Sequence, residues 1–432
     1  MIRSWKWAVP VFLAAPALAQ APPEVTLSDA VALAARTDPN VVQARGNVHT
    51  TGIGVRAARS RFLPSLSFGG SGGSSFSEGP ERFDPITNQL ISGNSQNQAV
   101  NFGFNTEVEL FTGFRRGGAI KEAQGREAVA DASLVEALST SALQTSNDFF
   151  SARQGRELVE ARRRSVARAE IQLQIAIARL QTRAATVSDS LRAVVQLGEA
   201  RLSLATEEAQ LARSEASLAR RLGLSGRIAA AADSALTAPG PALDTTAIRA
   251  EALSRAPAVR RTEASVQAAL GSVSAAKADW WPQLSLGASY NYNGSNATSY
   301  ELFNSRNATI SLRWPLFNRF QREQQIAQSQ ASVDTERARY EDARRLVESD
   351  LTTQFAALDA AQQRIDLAQL SVRAAQADVA VAVERYRLGS INITELNAAE
   401  SGLTRAEESA VTARFDYLRA KAQIEAILGR RV

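Results

Sequence analysis

The chain has 432 residues, 45% hydrophobic and 22% charged, with 49 basic against 44 acidic side chains and a formal net charge of +5. Lysine occurs only at Lys6, Lys121, Lys277 and Lys421, and arginines are interspersed with carboxylates along helical stretches. The cations therefore read as solvated helix faces, and no nucleic-acid partner is expected. The absence of cysteine excludes a disulfide framework, a thiolate metal site and a lipid anchor on an N-terminal cysteine.

Residues 1–19 read as a secretory signal peptide. Arg3 and Lys6 precede a short apolar stretch from Trp7 to Leu18, and Ala17-Leu18-Ala19 offers an A-x-A cleavage site before Gln20. That stretch is too short to span a bilayer, and no later segment reaches the roughly 18 uninterrupted apolar residues a spanning helix needs. Such a protein is periplasmic or secreted, or it enters a membrane by β-strands.

Beyond Gln20 the chain carries an internal duplication. Asp38-Pro39-Asn40-Val41 answers Ala256-Pro257-Ala258-Val259, and Phe62-Leu63-Pro64-Ser65-Leu66 answers Trp280-Trp281-Pro282-Gln283-Leu284, at an offset of 218. Further on the offset becomes 206: Leu110-Phe111 matches Leu316-Phe317, Phe149 matches Phe355, and Leu222-Gly223 matches Leu428-Gly429. Two copies are too few for a solenoid and suggest two similar halves of one structure. The first half spans residues 20–224, a linker 225–244, and the second half 245–432.

Each half opens with a helical pattern and continues into two stretches of period two. In the first half these are the Gly/Ser-rich residues 64–76 and residues 99–111, where Phe102, Phe104, Thr106, Val108 and Leu110 alternate with polar partners. In the second half they are residues 282–293 and 307–317. Strands of about ten residues, apolar on one face with aromatics near their ends, suit a transmembrane β-barrel; soluble hairpins packed on one face give the same alternation. Four strands cannot close a barrel, and open sheet edges are not tolerated in lipid, so the membrane reading requires several chains.

Long helices come next, at 115–181 and 318–386. No proline occurs between Ile86 and Thr237 or after Pro315, and an interior proline would break such helices. At 1.5 Å rise per residue the second is on the order of 100 Å long. Leu351, Leu358, Ile365, Val372, Val379 and Tyr386 recur every seven residues, with Ala361, Ala368, Ala375 and Ala382 three positions after four of them. A weaker series is Ala152, Val159, Val166, Leu173 and Leu180. Sevenfold recurrence of large and small residues is a coiled-coil seam. Turns at 182–188 and 387–394 lead into return helices 189–223 and 395–429, with Ser188 and Thr394 as expected caps.

Catalytic chemistry finds no support. His49 is the only histidine and reads as a surface residue, so neither a metal-ligand cluster nor a catalytic triad is available. The run Phe68-Gly69-Gly70-Ser71-Gly72-Gly73 lacks the lysine and helix of a phosphate cradle. No cofactor is expected.

The signal peptide, the paired Leu63-Pro64-Ser65-Leu66 and Trp281-Pro282-Gln283-Leu284 strand starts, the Leu-Phe strand ends and the turn from Tyr386 to Leu396 followed by Ala399 together resemble the TolC family of outer-membrane efflux and type I secretion ducts. The resemblance covers Leu27 to Gly429. It implies a membrane α+β protomer whose homotrimer forms a twelve-stranded barrel in the bacterial outer membrane, continued by a twelve-helix periplasmic tunnel. It also implies a periplasmic adaptor and an inner-membrane pump of RND, ABC or MFS type as partners. The two turns become periplasmic tips: Arg183, Ala184, Gly389 and Ser390 correspond to the adaptor-docking positions, with Arg183 departing from the family glycine. Asp189, Glu395 and Tyr386 correspond to the gate, where the carboxylates of three chains would form a cation-favouring ring and Tyr386 could bond Asp189. The rival from another class is a periplasmic coiled-coil adaptor or structural protein without a conducting pore.

Overall fold

A computed structural model describes residues 22–86, 88–91, 95–232, 244–296 and 299–430. The signal peptide read at 1–19 and linker residues 233–243 lie outside them. In chain order the elements are β1 (Glu24–Val25), α1 (Leu27–Thr37), α2 (Pro39–Ser60), β2 (Ser65–Ser77), β3 (Arg82–Asp84), β4 (Gln89–Ile91), β5 (Ser95–Phe111), α3 (Arg115–Gln181) and α4 (Val187–Arg221). The second half continues with β6 (Ala229–Ala230), α5 (Thr245–Arg255), α6 (Pro257–Ala276), a 3-10 turn (Lys277–Trp280), β7 (Gln283–Ser295), β8 (Phe303–Arg313), α7 (Gln321–Leu388) and α8 (Ile393–Leu428).

Two corrections to the sequence reading concern proline. The opening helix of each half is two helices, because Pro39 and Pro257 start new ones. The residue before a proline is pushed out of the helical region, and Asp38 and Ala256 have ψ of 122° and 136°. The last strand covers 303–313 rather than 307–317. Its ladder ends at Arg313 opposite Gln283, just ahead of Pro315, which has no N–H to donate. At its other end the polar run Asn304-Ser305-Arg306, outside the expected strand, is paired. A small hairpin, β3–β4, also sits in the segment between the first two strands.

The chain forms two compact units. One comprises Pro39–Ser139, Leu243–Thr353 and Ile427–Val432 and holds an antiparallel sheet in the order β2-β5-β7-β8, which joins the halves through β5 and β7. The register puts Phe68, Phe104, Tyr290 and, at its edge, Arg306 on one rung, and Val108, Leu286 and Ile310 on another rung of the same face. The other face carries Ser67, Asn105, Ser289 and Asn307 on one rung, and Ser71 with Asn101 on another. One face is thus apolar and the other polar. Below the sheet, α3 and α6 approach backbone to backbone: a side chain at Gly118, Gly125 or Gly271 would collide with Ala275, Ala268 or Glu122.

The other unit comprises Met1–Asp38, Thr140–Ala242 and Gln354–Ala426. Its core gathers Ala34, Phe149, Phe150, Leu218, Leu222 and Phe415, and β1 pairs in parallel with β6 beside it. The α7 seam read from the sequence is buried or half-buried along its length, as is the α3 series. Arg168 of α3 bonds Glu400 of α8 at 2.8 Å, and Arg201 of α4 bonds Glu170 of α3 at 2.8 Å. The helix order is therefore α4-α3-α8-α7, and the two outer helices keep a second seam open. On α4 it is Leu191, Val195, Gly198, Leu202, Ala205 and Ala209; on α7 it is Leu367, Leu370, Ala374, Ala377, Val381 and Leu388, all exposed.

Among the described residues no helix is long and apolar enough to cross a membrane, and no cluster of His, Cys, Asp or Glu could hold a metal ion.

Candidate functional site

The turns ending α3 and α7 are built alike. Arg183 N–H donates to the Leu180 carbonyl at 3.0 Å and Ala184 N–H to the Arg179 carbonyl at 2.8 Å. Gly389 N–H donates to the Tyr386 carbonyl at 3.0 Å and Ser390 N–H to the Arg385 carbonyl at 2.9 Å. This is the Schellman helix end, which needs a left-handed residue after the cap; Arg183 has φ 60° and Gly389 φ 81°. The departure at Arg183 therefore changes chemistry and leaves the backbone unchanged. Arg183, Ala184, Gly389 and Ser390 are all exposed.

The return helices begin on side-chain caps, but Ser188 and Thr394 are not the residues that form them. Thr186 Oγ1 accepts from Asp189 N–H at 3.2 Å while Asp189 Oδ2 accepts from Thr186 N–H at 3.0 Å. Asn392 Oδ1 accepts from Glu395 N–H at 3.0 Å, and Asn392 Nδ2 donates to Glu395 Oε1 at 3.1 Å. Asp189 and Glu395 thus both occupy the third helical position, where a reciprocal cap places an acidic side chain. Hydrogen bonds from Thr186 backbone and side chain hold the Asp189 carboxyl below its ordinary value, aided by the charges of Arg192 and Arg179.

Tyr386 is buried with Ala382, Ile393 and Leu396, against Ile175 and Ile391. The expected bond from its hydroxyl to Asp189 is not formed, because Oη has no hydrogen-bond partner and Asp189 is committed to Thr186. Burial, and after it the nearby Asp189 charge, push the phenol up, with Arg179 opposing.

Arg179 carries no mark in the sequence pattern, yet it is central to the tips. Its guanidinium lies 4.6 Å from the Tyr386 ring centroid, donates to the Tyr386 carbonyl through Nη1, and donates to the Ala184 carbonyl through Nη2 at 2.9 Å. One planar fork therefore ties together the ends of both long helices. The one available signal is the match of Arg179 to Arg385 at offset 206. A second link is Arg192 Nη1 to Thr394 Oγ1 at 3.3 Å.

A family model for outer membrane efflux proteins matches residues 30–224 and 248–430, one match to each half of the duplication. The chain belongs to the outer membrane efflux protein family. As a member of that family it is an exit duct of the outer membrane. Protein CyaE of Bordetella pertussis is 25% identical to it over 387 residues, 88% of this chain and 78% of CyaE. Its fold is similar to that of CusC, with a TM-score of 0.78 at 16% identity over 94% of this chain and 92% of CusC. It is also similar to the CmeC outer membrane channel of Campylobacter jejuni, with a TM-score of 0.77 at 14% identity over 93% and 85% of the two chains. Membership in the efflux family sets aside the reading of an adaptor without a pore.

Proposed function

We propose that three copies close cyclically into one duct, with four strands each in a twelve-stranded barrel and α3, α4, α7 and α8 of each in a twelve-helix tunnel. The observation that carries this is the matched pair of open edges. β2 and β8 end the sheet without further partners among the described residues, and α4 and α7 end the helix layer with exposed seams. Unlike edges meeting head to tail generate a ring when the rotation closes. Closure also removes the strand edges that a bilayer would not tolerate.

The tips are the periplasmic entrance in this reading. Asp189, Glu395 and Tyr386 form the gate, and the exposed backbone around Arg183, Ala184, Gly389 and Ser390 receives a periplasmic adaptor protein. The adaptor's inner-membrane pump selects small molecules or proteins as cargo. Export depends on the signal peptide read at 1–19.

The test is reconstitution in planar bilayers alongside heat-sensitive trimer migration on gels. Discrete conductance steps from a species that migrates as a trimer until heated are expected. A protein that migrates only as a monomer and opens no channel overturns the proposal. Because the chain has no cysteine, pairs introduced along the α4 and α7 seams report the interface directly by crosslinking.

A further inference from the structure

The end of the sheet where strands meet helices is charged in a way that conduction does not require. Residues 61–64, 109–116, 277–283 and 313–323 hold seven cations against the three carboxylates Glu109, Asp279 and Glu323. The opposite end, 77–98 and 293–306, has the reverse balance, with Arg82 and Arg306 against Glu78, Glu81, Asp84 and Glu301. At the helix end Asp279 is paired with Arg115, and Glu323 with Arg322 at 2.8 Å. Arg61, Lys277 and Arg319 are exposed and make no ion pair among the described residues, and Arg313, likewise unpaired, alternates with Leu312 and Trp314 and so belongs to the polar face. Arg319 even occupies a left-handed position, φ 58°, whose counterpart in the first half is Gly113.

Exposed indoles lie beside one of these cations, Lys277. Trp314 Nε1 donates to the Trp280 carbonyl at 3.3 Å, and the Arg322 guanidinium lies 3.4 Å from the Trp280 ring centroid. Lys277, Trp280, Trp281, Trp314, Ile326 and the Arg322-paired Glu323 line an open groove of about 590 Å³. Trp314 continues the alternation of Ile310 and Leu312, so the groove adjoins the apolar face of the sheet. An indole belt alone marks a bilayer interface of any composition. The unpaired cations at this end of the sheet add a preference of sign.

We propose that this collar binds the phosphate headgroups of anionic phospholipids, with their acyl chains running along the apolar face of the sheet. The inference rests on the membrane reading of that sheet. Three of the five tryptophans, Trp280, Trp281 and Trp314, lie in the collar, and the other two, Trp5 and Trp7, fall in the segment read as signal peptide. Indole fluorescence of the mature protein therefore reports on this collar alone.

The experiment places the mature trimer in mixed phosphatidylcholine–phosphatidylglycerol bilayers, with one lipid at a time brominated near the glycerol end of its acyl chains. At equal mole fraction the brominated phosphatidylglycerol is expected to quench as if enriched about threefold or more around the indoles. The enrichment should shrink toward parity at 1 M salt, where screening acts within about 3 Å, and in a Lys277→Ser/Arg319→Ser variant that still migrates as a trimer. Equal quenching by both lipids, or enrichment unchanged by both salt and substitution, overturns the lipid preference while leaving the membrane reading intact. Quenching by neither lipid overturns both.

Discussion

Arg179 is bound to Tyr386 twice, its guanidinium lying over the ring at 4.6 Å and donating to the same residue's carbonyl. With its third contact, to the Ala184 carbonyl, it bonds the backbone of both tip turns, alone in this among the described residues. Separating the turns must break charge-assisted bonds worth about 1.5–3 kcal/mol each when buried, and less for a half-buried arginine. Arg179→Ala is therefore expected to raise resting single-channel conductance, and Arg179→Lys, which keeps the charge and loses the fork, to fall between it and the wild type. Conductance of Arg179→Ala equal to wild type would remove the residue from the closed state.

The left-handed turn positions bear differently on stability. Arg183 at φ 60° carries a strain of about 1–2 kcal/mol that a glycine would not. Arg183→Gly should raise the temperature at which the trimer dissociates. Gly389→Ala should lower it, since a Cβ there meets both a φ of 81° and Arg179 Nη2 at 3.2 Å. Opposite shifts in a thermal gel assay are the expected outcome.

Tyr386→Phe separates the ring from the hydroxyl. Oη is buried without a hydrogen-bond partner, and such a group costs about 1–3 kcal/mol. The phenylalanine variant should keep wild-type conductance and melt no lower, whereas Tyr386→Ala, which removes the surface under Arg179, should conduct more. A leaky phenylalanine variant would mean that the hydroxyl does hold the gate.

In the proposed gate, Asp189 would link selectivity to pH. Its folded pKa lies below the ordinary 3.8, so its contribution to stability is complete above that value and is lost as pH falls through the lowered one. The Thr186 cap and any cation preference owed to Asp189 should therefore persist from neutral pH to about 4. Asp189→Asn and Glu395→Gln, alone and together, are expected to lower cation selectivity measured by reversal potential at pH 7. Unchanged selectivity in the double variant would take both carboxylates out of the gate.

The glycines between α3 and α6 make a prediction away from the tips. Gly125→Leu or Gly271→Leu would drive a side chain into the facing backbone, and overpacking of this kind costs about 1–3 kcal/mol. Reduced trimer yield and a lower dissociation temperature are expected, with the tip properties of surviving trimers unchanged.

Long helices are legible in the sequence because nothing interrupts them. The first is expected at 115–181 and found at Arg115–Gln181, since the proline-free run and the sevenfold seam both persist to Leu180. The bend at Pro39 is written in the sequence as well, but there the Asp-Pro dipeptide stands out as a marker of repetition rather than as a helix boundary. Residue type alone points to Ser188 and Thr394 as caps. Which of several polar side chains caps a helix depends on where the preceding turn ends, and that ending is fixed by Arg183 and Gly389. Arg179 leaves no pattern, because its partners are carbonyls, one of them 207 residues away. Backbone acceptors look the same at every residue.

The polar face of β2 reads Ser65, Ser67, Gly69, Ser71, Gly73, Ser75 and Ser77, without a charge or a long side chain. Turned toward the passage of the proposed duct, with Glu107 and Glu109 of β5 on the same face, this strand itself offers only hydroxyls and bare backbone. Friction there would be low and indifferent to cargo. A duct with such strips in its wall would pass chemically unrelated loads along them, with discrimination left to its charged positions and to whatever hands the loads in at the other end.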